Sequence, residues 1–219
     1  MSNEPTGFLY PFIDGDERDA SGLVADLAAS ARAKIATSNA LRTATLERSA
    51  SALEHAGEAM AHRFRHGGRL FAFGNGGSAT DAEGTVALFR SPPHGRALAA
   101  MSLVDDRAVL TALANDVGFE LVFSRQLIAH AHAGDIAMGF STSGDSVNVL
   151  RALDEATRRR MLTVGLCGYE GGAMASSGSV EHCLVVASDS VHRIQEAQAA
   201  LVLELWSSVQ RGLQEVRVS

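Results

Sequence analysis

Apolar positions change their period along the chain. Over residues 21–65 Ala and Leu dominate, proline is absent, and Leu23, Leu27, Ala31 and Ile35 recur at spacings of three or four. That spacing lines one face of an amphipathic helix. Ser38-Asn39 marks a candidate break, with a second helix expected from about 43 to 66. Two helices with no strand between them need a further surface, on the following domain or on another subunit, to cover both faces. From residue 69 the pattern alternates. Short continuous apolar runs at 69–73, 97–104, 135–140, 162–166 and 182–187 are separated by helical stretches. These are a helix after 77, a region at 107–131 broken near 115–118, a helix ending near 160, a short glycine-rich piece at 171–176 and a long helix over 191–213. Continuously apolar strands alternating with helices predict a parallel sheet covered on both faces, and right-handed crossovers make it doubly wound. The expected fold is α/β. A three-layer sandwich with a five-stranded parallel sheet occupies 67–219. Helices at 20–66 precede it, and an irregular arm at 1–19 carries Pro5, Gly7, Pro11 and Gly15.

Composition narrows the function classes. With 219 residues, 46% hydrophobic and 20% charged, the chain matches one well-buried globular domain with a helical extension. Its net charge of −6 argues against nucleic acid as a main partner. The basic cluster Arg158-Arg159-Arg160 reads as a solvated helix end, where cations suit the dipole. Cys167 and Cys183 each sit in an apolar run and are expected to be buried reduced thiols, too few for a structural zinc site. No run approaches the roughly 18 apolar residues of a membrane span. The acidic N-terminal stretch with Asp14, Asp16 and Glu17 lacks signal-peptide character, so a cytoplasmic location is expected.

Candidate chemistry lies in two loops, each between a strand and a helix, where open parallel sheets bind their ligands. The first is Gly74-Asn75-Gly76-Gly77-Ser78. Its glycines permit positive φ and present backbone N–H groups, and Ser78 is a candidate helix cap beside an anion-favouring terminus. The second, Ser141-Thr142-Ser143-Gly144-Asp145-Ser146, gathers four hydroxyls in six residues. A cap needs one oxygen; the others suit an ester phosphate, which accepts several hydrogen bonds. Neither loop has a lysine, which excludes a nucleotide P-loop of the GxxxxGK[ST] type. A dinucleotide reading rests on Gly74-x-Gly76-x-x-Ala79 and Asp105, and it leaves the hydroxyl loop unexplained.

Seven motifs in one order carry a family resemblance. They are Gly74-Asn75-Gly76-Gly77-Ser78, Ala114-Asn115-Asp116-x-Gly118-Phe119, Phe123-Ser124-Arg125, Gly134-Asp135, Ser141-Thr142-Ser143-Gly144-Asp145-Ser146, Gly171-Gly172 and Arg193-Ile194-Gln195-Glu196. From about residue 20 to 213 the chain resembles the phosphoheptose isomerase branch of the sugar isomerase (SIS) family. The resemblance implies a homotetramer assembled through the leading helices, with sites between subunits. It implies that Ser141, Thr142, Ser143 and Ser146 hold a sugar phosphate, that Asn75 and Ser78 in the Gly76-Gly77 turn contact it, that Asp116 lines the site, and that Gln195 reaches in from the last helix. It further implies conversion of sedoheptulose 7-phosphate into an aldose heptose 7-phosphate, with a His and a Glu four residues apart after the glycine loop. A second His stands eight residues after the Gln, and these groups can hold zinc. Here the matching positions are Gly84, Leu88 and Leu203, which neither exchange protons nor bind metal. No zinc or other cofactor is expected. The substitute acid–base candidates are His192, Gln195 and Glu196. Three readings follow: a phosphosugar binder without the usual isomerase activity, an isomerase with a rearranged acid–base set, and a tetrameric scaffold of the kind that associates with a replication initiator.

Overall fold

The computed structural model describes residues 20–214, so the expected arm at 1–19 lies outside the described residues. The elements are helix α1 (Ala20–Arg65), strand β1 (Leu70–Gly74), α2 (Gly77–Arg90), β2 (Ala100–Ser102), α3 (Arg107–Asp116), α4 (Val122–His130), β3 (Ile136–Ser141), α5 (Val147–Arg158), β4 (Leu162–Gly168), α6 (Gly172–Ser176), β5 (His182–Val186) and α7 (Val191–Gln214). A single 3-10 turn, Phe119–Leu121, joins α3 to α4 at the expected interruption.

The leading segment differs from expectation. It is one helix of 46 residues, with no break at Ser38-Asn39. Ser and Asn keep their backbone donors and cost only about 0.5–0.7 kcal/mol each against Ala in a helix. No proline or glycine lies between Gly22 and Gly57 to add to that cost. The described residues fall into two units, 20–39 and 40–214. In the first unit Leu23, Val24, Leu27 and Ile35 are all exposed.

The second unit holds the five-stranded sheet, in the order β2-β1-β3-β4-β5, every pair parallel. Alternate residues of β1 separate two cores. Leu70 and Ala72 face a cluster with Leu53, Met60, Phe89, Leu205 and Trp206, drawn from α1, α2 and α7. Phe71 and Phe73 face a cluster with Phe123, Leu127, Val149 and Leu153, drawn from α4 and α5. Helices thus cover both faces, which is why the strands read as continuous apolar runs. Strand β2 is shorter than the 97–104 expected. It lies at the sheet edge, and beyond its ends pairing persists only as Leu70 N–H to Ala99 O (2.9 Å) and Leu103 N–H to Ala72 O (3.0 Å).

The Gly134-Asp135 motif is structural. Asp135, 3% exposed, accepts from the backbone N–H groups of Arg69 and His132 and from the Arg69 guanidinium, each at 2.8 Å. This ties the starts of β1 and β3 together. The basic cluster at the end of α5 is solvated and paired in part: Arg158 and Arg159 both reach Glu155. The cysteines are free. Cys167 is buried and Cys183 half-buried, with their sulfurs 3.6 Å apart across β4 and β5. The contact with Cys183, and burial, push the Cys167 thiol up, while the same contact lowers Cys183.

Candidate functional site

The strand order reverses its direction of growth between β1 and β3. Such a switch point opens a crevice at the carboxyl ends of the strands. The register places Gly74 opposite Phe140, so the loops leaving β1 and β3 start at the same level. They enclose a cleft of about 290 Å³ lined by Asn75, Ser78, Phe140, Ser141, Thr142, Ser143 and Ser146, with Tyr169 and Val191. The topology therefore brings together both loops singled out in the sequence.

Local chemistry explains the shape of each loop. Gly76 has φ 55° and ψ −124°, a region disfavoured for side-chain-bearing residues, and lets the chain turn sharply into α2. Gly76 itself is the N-cap, and Ser78 lies inside the first turn rather than capping it. The Ser78 hydroxyl faces the other loop, 3.4 Å from Thr142 Oγ1. In the second loop Gly144 has φ 77° and packs on the backbone of Gly171 and Gly172. Met174 N–H donates to Gly144 O (2.9 Å), and Ala173 N–H donates to the Asp145 carboxylate (2.8 Å). The Gly171-Gly172 motif and Asp145 thus hold the hydroxyl loop from behind.

The hydroxyls are arranged without capping α5. Ser146 is its N-cap residue, and its own hydroxyl makes no cap hydrogen bond; the Asn148 amide oxygen accepts from Val149 N–H in the first turn (3.0 Å). Ser141 Oγ donates to Ser146 Oγ (2.9 Å), and Ser143 Oγ accepts from Asp145 N–H (3.1 Å). Ser146 thus brings the start of α5, with its dipole, to the edge of the cleft, an arrangement that favours an anion. Asn148, which the sequence reading missed, locks the two loops. Its amide and that of Asn75 exchange reciprocal hydrogen bonds of 2.8 and 2.9 Å. The signal was present in its position, at the start of the helix that follows the hydroxyl loop.

Phe140 is shared with a second cleft of about 320 Å³, lined by Thr80, Asp81, Gly84, Thr85, Leu88, Gln198, Ala199, Val202 and Leu203. Gly84, Leu88 and Leu203, which come from two helices, meet here. A β-carbon built on Gly84 would meet nothing within 4 Å, so this wall faces open space. Two further residues escaped the sequence reading. Asp81 stands three positions before Gly84, and Gln198 three after Gln195; helical periodicity alone puts each on the same face. Burial raises the Asp81 carboxyl above its ordinary 3.8, with partial relief from the Gln195 amide 3.5 Å away.

Gln195 is half-buried and packs over Gly77, and it lines neither cleft, contrary to the expectation that it reaches into the site. Asp116 is exposed at the end of α3, where it accepts from Asn115 Nδ2 (2.8 Å), and it lines neither cleft of the single chain. His192 and Glu196 are exposed and line neither cleft. Of the other histidines, His94 packs edge-on against Trp206, and half-buried His182 has its pKa lowered by burial. Among the described residues no group of three His, Cys, Asp or Glu side chains could hold a metal. Around Gly84 the donors are one carboxylate and amides, a set that does not fit zinc. No described helix is long and apolar enough to cross a membrane.

Comparison with known proteins agrees with this architecture. Residues 35–168 match the SIS domain family. A phosphoheptose isomerase of Geobacter sp. strain M21 is 42% identical over 164 residues, 74% of this chain and 84% of that protein. The chain belongs to the SIS domain family. Within that family, the phosphoheptose isomerase of Campylobacter jejuni serotype O:6 is 41% identical over 159 residues, 72% of this chain and 84% of that protein. The solved structure of the Neisseria gonorrhoeae phosphoheptose isomerase superposes with a TM-score of 0.78 at 33% identity, covering 84% of this chain and 99% of the other. That of the Francisella tularensis enzyme gives 0.77 at 28% identity, over 83% and 97%. This SIS chain therefore has phosphoheptose isomerases as its relatives in both sequence and fold.

Proposed function

We propose that this protein binds a phosphosugar in the cleft between the Asn75–Ser78 and Ser141–Ser146 loops, and that it lacks the usual isomerase activity. The carrying observation is the convergence of four loop hydroxyls, Ser78 and the start of α5 on one cleft at the switch point. Fixed donors and a helix dipole can hold an ester phosphate without a lysine. Aldose–ketose isomerisation needs an acid and a base beside the reacting carbons. Where the family resemblance would put them, Gly84, Leu88 and Leu203 line a mainly apolar cleft. The exposed Leu23, Val24, Leu27 and Ile35 support a homotetramer built through the leading helix, and cytoplasmic location is part of the same reading.

A second reading keeps an isomerase with a rearranged acid–base set. Asp81 favours it, because its carboxyl lines the cleft beside Gly84 and burial raises its pKa, favouring the protonated form. His192, next to Val191 of the phosphate cleft, is the other candidate.

Two measurements test these readings. Sedoheptulose 7-phosphate and hexose 6-phosphates should raise the melting temperature by mass action, by about 2.7 kcal/mol of stabilisation at a hundred times Kd. Ser143→Ala should shrink that shift, and an undiminished shift would remove the hydroxyl loop from the site. Following sedoheptulose 7-phosphate by NMR, with and without zinc, should show no turnover above background. Turnover lost in Asp81→Asn or His192→Ala would establish the second reading instead.

A further inference from the structure

Among the described residues two non-glycine positions have positive φ, Arg160 at 60° and Tyr169 at 50°. Left-handed backbone is costly for a residue with a β-carbon. Arg160 has a local reason. It follows α5, where its N–H donates to Thr157 O and Met161 N–H donates to Ala156 O, both at 3.0 Å, a helix ending that needs one left-handed residue. Tyr169 ends no helix. It sits in the turn between β4 and α6, closed by Gly171 N–H to Gly168 O at 2.8 Å. Positive φ at the first central position of a turn ordinarily belongs to glycine. Glycine stands at 168, 171 and 172, yet tyrosine occupies the strained place.

The surroundings enforce that conformation. Gly168 N–H donates to Thr142 O (2.9 Å), and a β-carbon on Gly168 would clash with Ile194 of α7. Gly171 backs onto Gly144 of the hydroxyl loop. The turn is clamped between α7 and that loop. Strain held in this way at a cleft points to a task for the side chain it displays. Packing within the chain does not supply one. Tyr169 belongs to neither core, is 37% exposed, and no described residue hydrogen-bonds its hydroxyl.

What Tyr169 lines is the cleft of the hydroxyl loop, together with Phe140 and with Val191, 43% exposed at the start of α7. The cleft therefore has two kinds of wall. Asn75, Ser78 and the hydroxyl loop present polar groups, while Tyr169, Val191 and Phe140 present carbon. A phosphate needs only the first wall. A sugar ester also carries C–H faces between its hydroxyls, and these leave water favourably against an aromatic ring.

We infer that Tyr169 is a specificity-determining residue of this cleft, held left-handed so that its ring packs on the C–H face of a bound phosphosugar and separates sugar esters from bare phosphate. This rests on the phosphosugar reading proposed above and names the residue that selects for the sugar.

The test is calorimetric titration of the full chain with sedoheptulose 7-phosphate, glucose 6-phosphate, fructose 6-phosphate and inorganic phosphate. At least one ester should bind more tightly than inorganic phosphate. Tyr169→Ala should weaken that ester about tenfold, the equivalent of roughly 50 Å² of apolar surface returned to water, and leave inorganic phosphate within about twofold. Tyr169→Phe should bind like the unmodified chain. Tyr169→Gly should bind the ester as weakly as Tyr169→Ala yet melt about 2–4 °C higher, because glycine accepts the positive φ. Unchanged ester affinity in Tyr169→Ala would overturn the inference. An equal loss for inorganic phosphate would also overturn it, making the residue a support of the hydroxyl loop. A loss in Tyr169→Phe would assign selection to the hydroxyl and defeat the ring contact. A glycine variant no more stable than the alanine variant would defeat the strained hold. Esters bound no tighter than inorganic phosphate would overturn the inference and leave anion binding standing. Absence of binding by every ester and by inorganic phosphate would defeat the phosphosugar reading itself.

Discussion

Two clefts meet at Phe140, and they are built on opposite principles. The one between the loops presents hydroxyls, the Asn75 amide and a helix terminus. Its neighbour presents Leu88, Ala199, Val202 and Leu203, with one carboxyl and one buried amide. Helix α2 serves both, its first turn carrying Ser78 to the polar side and its later turns carrying Asp81, Gly84 and Leu88 to the apolar side. On the reading proposed above, the contrast separates anchoring from chemistry: one cleft would hold the phosphate, while the adjoining surface offers packing in place of proton exchange.

The comparison can be broken most drastically by restoring reactive groups to the apolar side. The triple variant Gly84→His, Leu88→Glu, Leu203→His should raise sedoheptulose 7-phosphate turnover at least about a hundredfold over the unmodified chain, read by NMR. The open space beyond Gly84 accommodates the new imidazole. On the polar side, Ser141→Ala removes a buried hydroxyl that holds Ser146. It should weaken phosphosugar binding about thirtyfold by titration, the scale of a hydrogen bond to a charged group. Asn148→Ala leaves Asn75 without its partner, and should cost about 1–2 kcal/mol in chemical denaturation.

The smallest effect separates the clefts by pH. Burial raises the folded pKa of Asp81 above its unfolded 3.8, so the folded state binds this proton more tightly. Its ionisation therefore destabilises the fold as pH rises from 3.8 through the raised folded value, and the penalty is constant above it. Asp81→Asn should lack that decline. Denaturation midpoints of the two proteins should diverge with rising pH across that window, and parallel curves would show that the carboxyl is solvated.

Much of this was legible in the sequence, for physical reasons that differ by region. Strands buried on both faces leave uninterrupted apolar runs, so all five were found, and the loops at their ends stood out by composition. The edge strand β2 was overextended because its flanking residues 97–99 and 103–104 are apolar without being fully paired. The continuity of α1 was missed because Ser38-Asn39 resembles a stop signal, while the absence of Gly and Pro decides the outcome. Ser78 reads as a cap in sequence, and only the φ of Gly76 shows that the helix begins earlier. Asp81 and Gln198 carry no motif of their own. Their importance comes from sharing a helical face with Gly84 and Gln195, a relation that needs both helices to be placed in the same cleft.

The reciprocal amide pair between Asn75 and Asn148 has a kinetic corollary. Because each loop is tied to the other within the chain itself, a phosphosugar binding as proposed would need no prior ordering of the crevice. Association should then run at the speed of an encounter with a rigid docking port, and ligands should be told apart by how long they stay.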